Sequence, residues 1–155
     1  MNHVLPAAPG SAAIVAPATW RDLSSLRTLE RVCFPQDVWP LLDLVGVLTF
    51  PGVVRLKATN KGEMIGFIAA DIRRIQNVAW ISTLGVLPAF RRQGIGAALL
   101  AACEERLHVP RIRLSVRASN QAAIGLYTHF GYQQHGVWQR YYTDGEDALV
   151  LEKTL

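Results

Sequence analysis

The chain contains very little cysteine. Cys33 and Cys103 are its only thiols among 155 residues, and each lies in an apolar stretch. Two cysteines cannot form the disulfide framework of a small secreted domain, and no spacing of cysteine and histidine is typical of a zinc site. We therefore expect two small buried thiols in a cytoplasmic protein that needs no metal.

Long hydrophobic runs are also missing. The most apolar region, residues 41–54, contains an aspartate and a proline-glycine pair and is shorter than a membrane span. Residues 1–12 have neither the basic start nor the unbroken apolar stretch of a secretory signal. The sequence therefore indicates a soluble protein with no membrane partner.

Runs of one charge are short. The net charge is +4, yet no basic run is longer than the pairs Arg73-Arg74 and Arg91-Arg92. We therefore expect no nucleic-acid partner, although a polyphosphate ligand would suit this modest positive charge.

Apolar residues, in contrast, are abundant. Half of the chain is hydrophobic and 18% is charged, which excludes a globally disordered protein. A chain of this length can bury a core without disulfides or metals. Since no internal repeat or long linker divides the sequence, we expect one domain over residues 13–155 after a flexible segment, residues 1–12.

The hydrophobic periodicity predicts the element order β-α-α-β-β-β-α-β-α-β-β. Helices are predicted over residues 19–33, 41–49, 93–107 and 120–130. Strands are predicted over residues 13–16, 53–59, 64–73, 78–86, 111–117, 132–142 and 148–152. A helix joins the strands 78–86 and 111–117, so these two should be parallel with a right-handed crossover. The result is an α/β fold with one mixed, mostly antiparallel sheet and helices on both faces.

A glycine-containing turn is predicted between the strand 78–86 and the following helix. The turn reads Arg91-Arg92-Gln93-Gly94-Ile95-Gly96-Ala97. A helix N-terminus has unpaired amides and partial positive charge, so a phosphate or pyrophosphate fits there when glycines leave room. The third glycine of a dinucleotide site is replaced by Leu99, and the Gly-Lys-Ser/Thr of a P-loop is absent. A tight turn that serves packing alone is the remaining alternative.

A second segment comprises residues 116–120 and Tyr127. Asn120 and Tyr127 are seven residues apart, about two helical turns, and therefore share one face of the predicted helix. By themselves they are consistent with a helix cap and a core aromatic residue.

Together, the two segments resemble the GNAT superfamily of N-acetyltransferases. Its acetyl-CoA signature resembles Leu84-Gly85-Val86-Leu87-Pro88 followed by Arg91-x-x-Gly94-x-Gly96. Its second conserved segment corresponds to Asn120, Ala123, Tyr127 and Gly131-Tyr132. Within the superfamily, the chain is most similar to RimI-type ribosomal-protein-alanine acetyltransferases and their N-terminal acetyltransferase relatives. That similarity rests on residues 116–124, on Arg140-Tyr141-Tyr142 with residues 144–148, and on Cys33-Phe34-Pro35.

The resemblance implies roles for these segments. Leu84, Gly85 and Val86 would hold the acetyl carbonyl and pantetheine arm of acetyl-CoA through backbone groups. The pyrophosphate would be bound by Arg91, Arg92, Gln93, Gly94, Ile95, Gly96 and Ala97. Asn120 would hydrogen-bond the pantetheine, while Tyr127 would contact the coenzyme and protonate the leaving thiolate. The acceptor would be bound by Phe34, Pro35, Arg140, Tyr141 and Tyr142.

One position departs from the family pattern. RimI-type enzymes carry a glutamate, and some relatives a histidine, where this chain has Ser115. Some relatives place a tyrosine base where this chain has Trp80. Neither side chain can act as a general base at neutral pH. Three candidates for the base stay open. They are a water held by Ser115, the side chain of His135 and the side chain of Glu146.

The resemblance therefore implies direct transfer of acetyl from acetyl-CoA to a primary amine. The expected acceptor is a protein or peptide N-terminal α-amino group, with a small-molecule amine as the alternative. The missing base also keeps a different class open, a non-catalytic acyl-CoA-binding sensor or interaction module. The sequence gives no indication of the oligomeric state.

Overall fold

The structure, a computed structural model, describes the backbone of His3–Val4 and all of residues 13–155. The chain forms two compact units. The first extends to Ala70 and continues from Thr83 to His108, and the second comprises Asp71–Ser82 and Val109–Leu155. The predicted flexible segment, residues 1–12, lies outside the described residues apart from His3–Val4. One domain over residues 13–155 stays a prediction.

Four helices and eight strands make up the described part of the chain. The helices are α1 (Leu23–Cys33), α2 (Leu41–Thr49), α3 (Ile95–Leu107) and α4 (Gln121–His129). The strands are β1 (His3–Val4), β2 (Ile14–Pro17), β3 (Val53–Asn60), β4 (Glu63–Arg73), β5 (Val78–Val86), β6 (Arg111–Arg117), β7 (Gln133–Trp138) and β8 (Ala148–Thr154). The predicted bounds of α2, β5 and β6 are confirmed, and β1 is an addition to the predicted order.

In the first unit the strands follow the order β1-β2-β3-β4-β5. Lys61 and Gly62 form the turn between β3 and β4 with positive φ angles of 49° and 83°, as a two-residue hairpin turn requires. Helices cover both faces of β4, because successive side chains of a strand point to opposite faces. Phe67 belongs to a buried cluster with leucines of α1 and α2, whereas a Cβ on Gly66 would lie 3.0 Å from Leu99 of α3.

In the second unit the order is β4-β5-β6-β8-β7, with β4 and β5 contributing their residues 71–73 and 78–82. The strands β5 and β6 are parallel, as predicted, with Val78 opposite Arg111. The pairings of β8 with β6 and β7 are antiparallel. Gly131 follows α4 with a φ of +91°, the left-handed conformation predicted for it.

The strand predicted over residues 132–142 ends earlier, at Trp138. Arg140 has a positive φ of 51°, which an extended strand does not permit. Its backbone N–H donates to Asp147 Oδ1 at 2.9 Å instead of to a neighbouring strand. Arg140, Tyr141 and Tyr142 therefore lie in a loop between β7 and β8.

Candidate active site

The turn before α3 presents unpaired backbone amides. The first helical hydrogen bond runs from Ala98 N–H to the carbonyl of Gly94 at 3.0 Å, so the preceding amides, Ile95 to Ala97, have no partner within the helix. Gly94 is the N-cap, has a φ of +78°, and has no heavy atom within 4 Å of the place where a Cβ would lie. The turn therefore has room for an anion, and pyrophosphate binding there stays a prediction.

Arg91 fixes this turn to the end of β5. Its Nε donates to the carbonyl of Val86 at 2.9 Å. Arg92 is exposed and has a positive φ of 61°. Both predicted phosphate-binding arginines thus lie in the exposed turn, and the side chain of Arg91 is tied to the strand end at Val86.

The end of β5 extends beyond its pairing with β6. The parallel register covers Val78 to Ile81, while β5 continues to Val86. Backbone groups beyond Ile81 on the β6 side of β5 thus lie outside this ladder. Leu84 and Val86, the predicted ligands of the pantetheine arm, belong to this extension.

Gly85 brings the β5 extension against the end of α1. A Cβ at this position would lie 3.1 Å from the Phe34 ring, and 3.3 Å from Cys33 Sγ and from Leu29. Any side chain here would displace the start of the loop that follows α1. The structure therefore brings together Phe34, predicted to bind the acceptor, and the strand predicted to hold the acetyl group, whereas the neighbouring Pro35 is exposed.

The second unit contains Asn120 and Tyr127 on α4. The Asn120 side chain accepts a hydrogen bond from Ala123 N–H at 3.2 Å, which caps the helix. Tyr127 is 6% exposed and packs edge-on against the Tyr132 ring at a centroid distance of 5.5 Å. Asn120 is thus a helix cap and Tyr127 a buried aromatic residue, as expected from the sequence.

A row of aromatic rings leads to the predicted acceptor residues of the β7–β8 loop. Trp80 stacks on Trp138 at 5.7 Å, Trp138 contacts Tyr141 at 5.1 Å, and Tyr141 contacts Tyr142 at 5.1 Å. The guanidinium of Arg117 lies 4.0 Å from the centre of the Tyr142 ring. The stacking on Trp138 gives Trp80 a packing role in place of the tyrosine found in some relatives.

Two of the candidate bases are poorly placed for proton transfer. Ser115 lies on β6 opposite Val150 and carries no ionisable group. The carboxylate of Glu146 accepts hydrogen bonds from Ser119 N–H at 2.8 Å and from Arg117 at 2.9 Å. These bonds, first that with Ser119 and then that with Arg117, lower the pKa of Glu146. The carboxylate of Glu146 is therefore already engaged, while the exposed His135 on β7 and a water held by Ser115 stay open candidates.

Comparison with known proteins now identifies the family. The sequence profile of the Acetyltransferase (GNAT) family matches residues 23–132 of the chain. The chain belongs to the GNAT acetyltransferase family. It is therefore an acetyl-CoA-dependent N-acetyltransferase with the mixed α/β GNAT fold, and the predicted fold class is confirmed.

Individual GNAT relatives are similar over most of the chain. The catalytic subunit NAA10 of the N-terminal acetyltransferase A complex from Arabidopsis thaliana is 31% identical, over 89% of this chain and 76% of that protein. An N-alpha-acetyltransferase from Sulfurisphaera tokodaii is also 31% identical, over 86% of this chain and 88% of that protein. The crystal structure of the ribosomal-protein-S18-alanine N-acetyltransferase from Escherichia coli superposes with a TM-score of 0.84 at 27% identity, covering 92% and 93% of the two chains.

Other features of the GNAT chain concern thiols, metals and membranes. Both cysteines are free. Cys103 is buried, as predicted, and burial raises its pKa to about 12, whereas Cys33 is only partly buried, contrary to the prediction. Within residues 13–155, His, Cys, Asp and Glu side chains form no group of three that could hold a metal ion. None of the helices α1 to α4 is long and apolar enough to cross a bilayer.

Glu30 is a residue of this region that the sequence pattern alone did not single out as functional. It lies in the last turn of α1, is 1% exposed, and accepts a hydrogen bond from Thr83 Oγ1 at 3.1 Å. A signal was present, because Leu26, Leu29, Glu30 and Cys33 follow the i, i+3, i+4, i+7 spacing of a buried helix face. A carboxyl group on such a face is unusual in a protein core.

Replacing Gly94 by asparagine will weaken acetyl-CoA binding by roughly tenfold or more, because charge-assisted hydrogen bonds of about 1.5–3 kcal/mol are lost when a side chain fills the turn. Asparagine tolerates a positive φ, so the fold should persist. Gly62→Asn is the matched control, since Gly62 also has a positive φ and open space around it but lies in the β3–β4 turn. Isothermal titration calorimetry measures both; equal affinities in the two variants would contradict the assignment.

Proposed function

We propose that this GNAT enzyme acetylates the N-terminal α-amino group of a protein or peptide. The observation that carries the proposal is the contact of Gly85 with Phe34 and Cys33. It joins the strand that would hold the acetyl group to the helix end whose sequence resembles the substrate loop of N-terminal acetyltransferases. An acceptor bound along that loop would have its amine beside the thioester, which is the positioning that direct transfer needs.

The coenzyme roles follow from the described geometry. The amides of Ile95, Gly96 and Ala97 would bind the pyrophosphate, helped by the charge at the helix N-terminus. Backbone groups of Leu84 and Val86 would pair with the pantetheine arm, and a strand amide would stabilise the negative charge on the thioester oxygen. The Val86 carbonyl already accepts from Arg91, so Arg91 would act by fixing this strand end.

In the second unit, Asn120 would hydrogen-bond the pantetheine and Tyr127 would protonate the thiolate as it leaves. Arg140, Tyr141 and Tyr142 would bind the acceptor beyond its first residue. Tyr141 is 55% exposed, and a half-exposed ring suits a peptide that must enter and leave.

The acceptor class is supported by the names of the relatives and by chemistry. Two of the relatives described above are named as an N-terminal and an N-alpha-acetyltransferase, and the third as a ribosomal-protein-S18-alanine N-acetyltransferase. In addition, an α-amino group is already partly neutral at pH 7, which matters for an enzyme that lacks the family's glutamate at Ser115.

The test is acetyl transfer to matched peptides. A peptide with a free alanine or serine at its N-terminus and no lysine is compared with the same peptide blocked at its N-terminus. Thiol release measures turnover, and mass spectrometry locates the acetyl group. We expect turnover with the free peptide alone. Turnover confined to polyamines or amino sugars would contradict the proposal, and no turnover with any amine would indicate the acyl-CoA-binding module.

A further inference from the structure

Glu30 has a carboxyl oxygen without a partner in the core of the first unit. Its Oε1 accepts from Thr83 Oγ1, whereas Oε2 is buried and makes no hydrogen bond to any described residue. Leaving a buried acceptor unsatisfied lowers the stability of a protein, and more so when the group is charged. Such an atom in a native fold requires an explanation.

Packing alone does not explain a carboxyl group at this position. Leucine or methionine would fill the same volume without an unsatisfied oxygen, and glutamine would keep the hydrogen bond from Thr83 without a charge. Burial raises the pKa of Glu30, while the hydrogen bond from Thr83 opposes the rise. The residue therefore lowers the stability of the ionised protein, as functional groups often do.

The location of Glu30 suggests what its free oxygen serves. Cys33 and Phe34, which follow Glu30 along the chain, contact Gly85 on β5. Thr83 lies two residues before Gly85 and so points to the same face of the strand. Two charged or titratable groups near this carboxyl are Cys33 and Arg91. Burial raises the pKa of Cys33 and the charge of Glu30 adds to the rise, while a hydrogen bond from Arg91 lowers it. The carboxyl thus lies beside the proposed thioester strand and the proposed acceptor loop.

We propose that Glu30 Oε2 accepts the proton of the attacking amine, directly or through one water. The neutral amine nitrogen bonds to the thioester carbon, an N–H bond breaks, and its proton goes to Oε2. The C–S bond then breaks, and the sulfur of coenzyme A leaves with the proton of Tyr127. Glu30 later releases its proton to solvent, and Tyr127 takes up a proton from solvent. This role rests on the proposed function and supplies the base that Ser115 cannot provide.

The central experiment is Glu30→Gln, which keeps the shape and the acceptor for Thr83 but cannot take up a proton. We expect kcat to fall by about 10²-fold or more with unchanged acetyl-CoA affinity. The wild-type decline of kcat on the acid side, which reports protonation of Glu30, should disappear. The climb toward higher pH belongs to the acceptor and should persist.

Thr83 provides a second and independent pair of variants. Thr83→Val removes the hydrogen bond that lowers the pKa of Glu30, so the acid-side decline of kcat should move to higher pH. Thr83→Ser keeps the hydroxyl and is the matched control, with its decline unmoved. A purely structural carboxyl would leave these profiles alike.

Stability gives a readout with a definite sign. The folded-state pKa of Glu30 lies above its ordinary value of 4.5, so its contribution to stability is fully present below that value and is lost as pH rises through the folded pKa. Glu30→Gln should therefore raise the Tm at pH 7, and the gain should vanish near pH 4. For a chain of this size we expect a rise in Tm of about 2–4 °C at pH 7.

The outcomes separate this inference from the proposed acceptor. Both a peptide with a free N-terminus and a small primary amine are tested with the wild type and all variants. If the wild type turns over and kcat of Glu30→Gln stays within a few-fold of the wild-type kcat at every pH, the role of Glu30 is overturned and the acceptor assignment is not affected. If Glu30→Gln fails to fold, coinciding acid-side declines of Thr83→Val and Thr83→Ser overturn it. Turnover of the small amine alone contradicts the acceptor only, and no turnover with any amine overturns both.

Discussion

Tyr127→Phe will lower kcat by roughly 10²-fold or more and leave acetyl-CoA affinity nearly unchanged. Coenzyme A leaves more readily when its sulfur gains a proton as the C–S bond breaks. A tyrosine hydroxyl, with a reference pKa of about 10, remains protonated at neutral pH and can supply that proton. The substitution removes the hydroxyl and keeps the ring that packs against Tyr132. Steady-state kinetics of thiol release, with calorimetry of acetyl-CoA binding, measure both quantities.

Tyr132→Phe is the matched control for this experiment. Tyr132 is 2% exposed and forms the other half of the same aromatic pair. Losing its hydroxyl should disturb packing to a similar extent but should leave kcat within a few-fold of wild type. If the two variants retain the same kcat, Tyr127 is a packing residue and does not act as the acid.

Peptides with a free small N-terminal residue will be acetylated at least about tenfold faster than N-blocked lysine peptides. Only a neutral amine can attack the thioester. With reference pKa values of about 7.7–8.0 for an α-amino group and about 10.4 for lysine, roughly a tenth to a sixth of the former is neutral at pH 7, against about one lysine in 2,500. Forming the neutral amine therefore costs lysine about 3–4 kcal/mol more free energy than it costs an α-amino group. Thiol release with the two peptide types at equal concentration measures it.

The pH dependence of the reaction follows from the titration of the amine. Activity with the α-amino acceptor should climb between about pH 7 and pH 8.5, following the titration of the acceptor itself. Ser115→Glu restores the family's carboxylate and should flatten this climb if the side chain reaches the amine. Equal rates for the two peptide types, or a preference for lysine, would overturn the acceptor assignment.

Local features of the fold could be predicted from the sequence. The bounds of α2, β5 and β6, the cap at Asn120 and the positive φ of Gly131 depend on neighbours within a few residues. Hydrophobic spacing reports the same short range, with a period of two in strands and 3.6 in helices. The glycine-containing turn before α3, together with its order relative to α4, was sufficient to indicate the family.

The loop between β7 and β8 was harder to predict from the sequence because its contacts join residues that are far apart in the chain. The strand predicted over residues 132–142 ends at Trp138 because Asp147 takes the Arg140 amide out of the ladder. Glu146 was a candidate base until the structure placed Arg117, 29 residues away in sequence, against its carboxylate. The alternation of polar and apolar residues along a strand carries no information about either of these two hydrogen bonds.

The sequence by itself predicted the family, the order of the helices and strands from β2 onward, and the glycine-containing turn before α3, since each depends on residue types at short spacing. Only the tertiary structure showed that Glu30 has a buried carboxyl oxygen without a hydrogen-bond partner among the described residues. Glu30 and Thr83 are 53 positions apart, and the contact of Gly85 with Phe34 joins a strand to a distant helix end. Packing between such segments depends on the whole fold, and it is this packing that buries Oε2 of Glu30 without a partner.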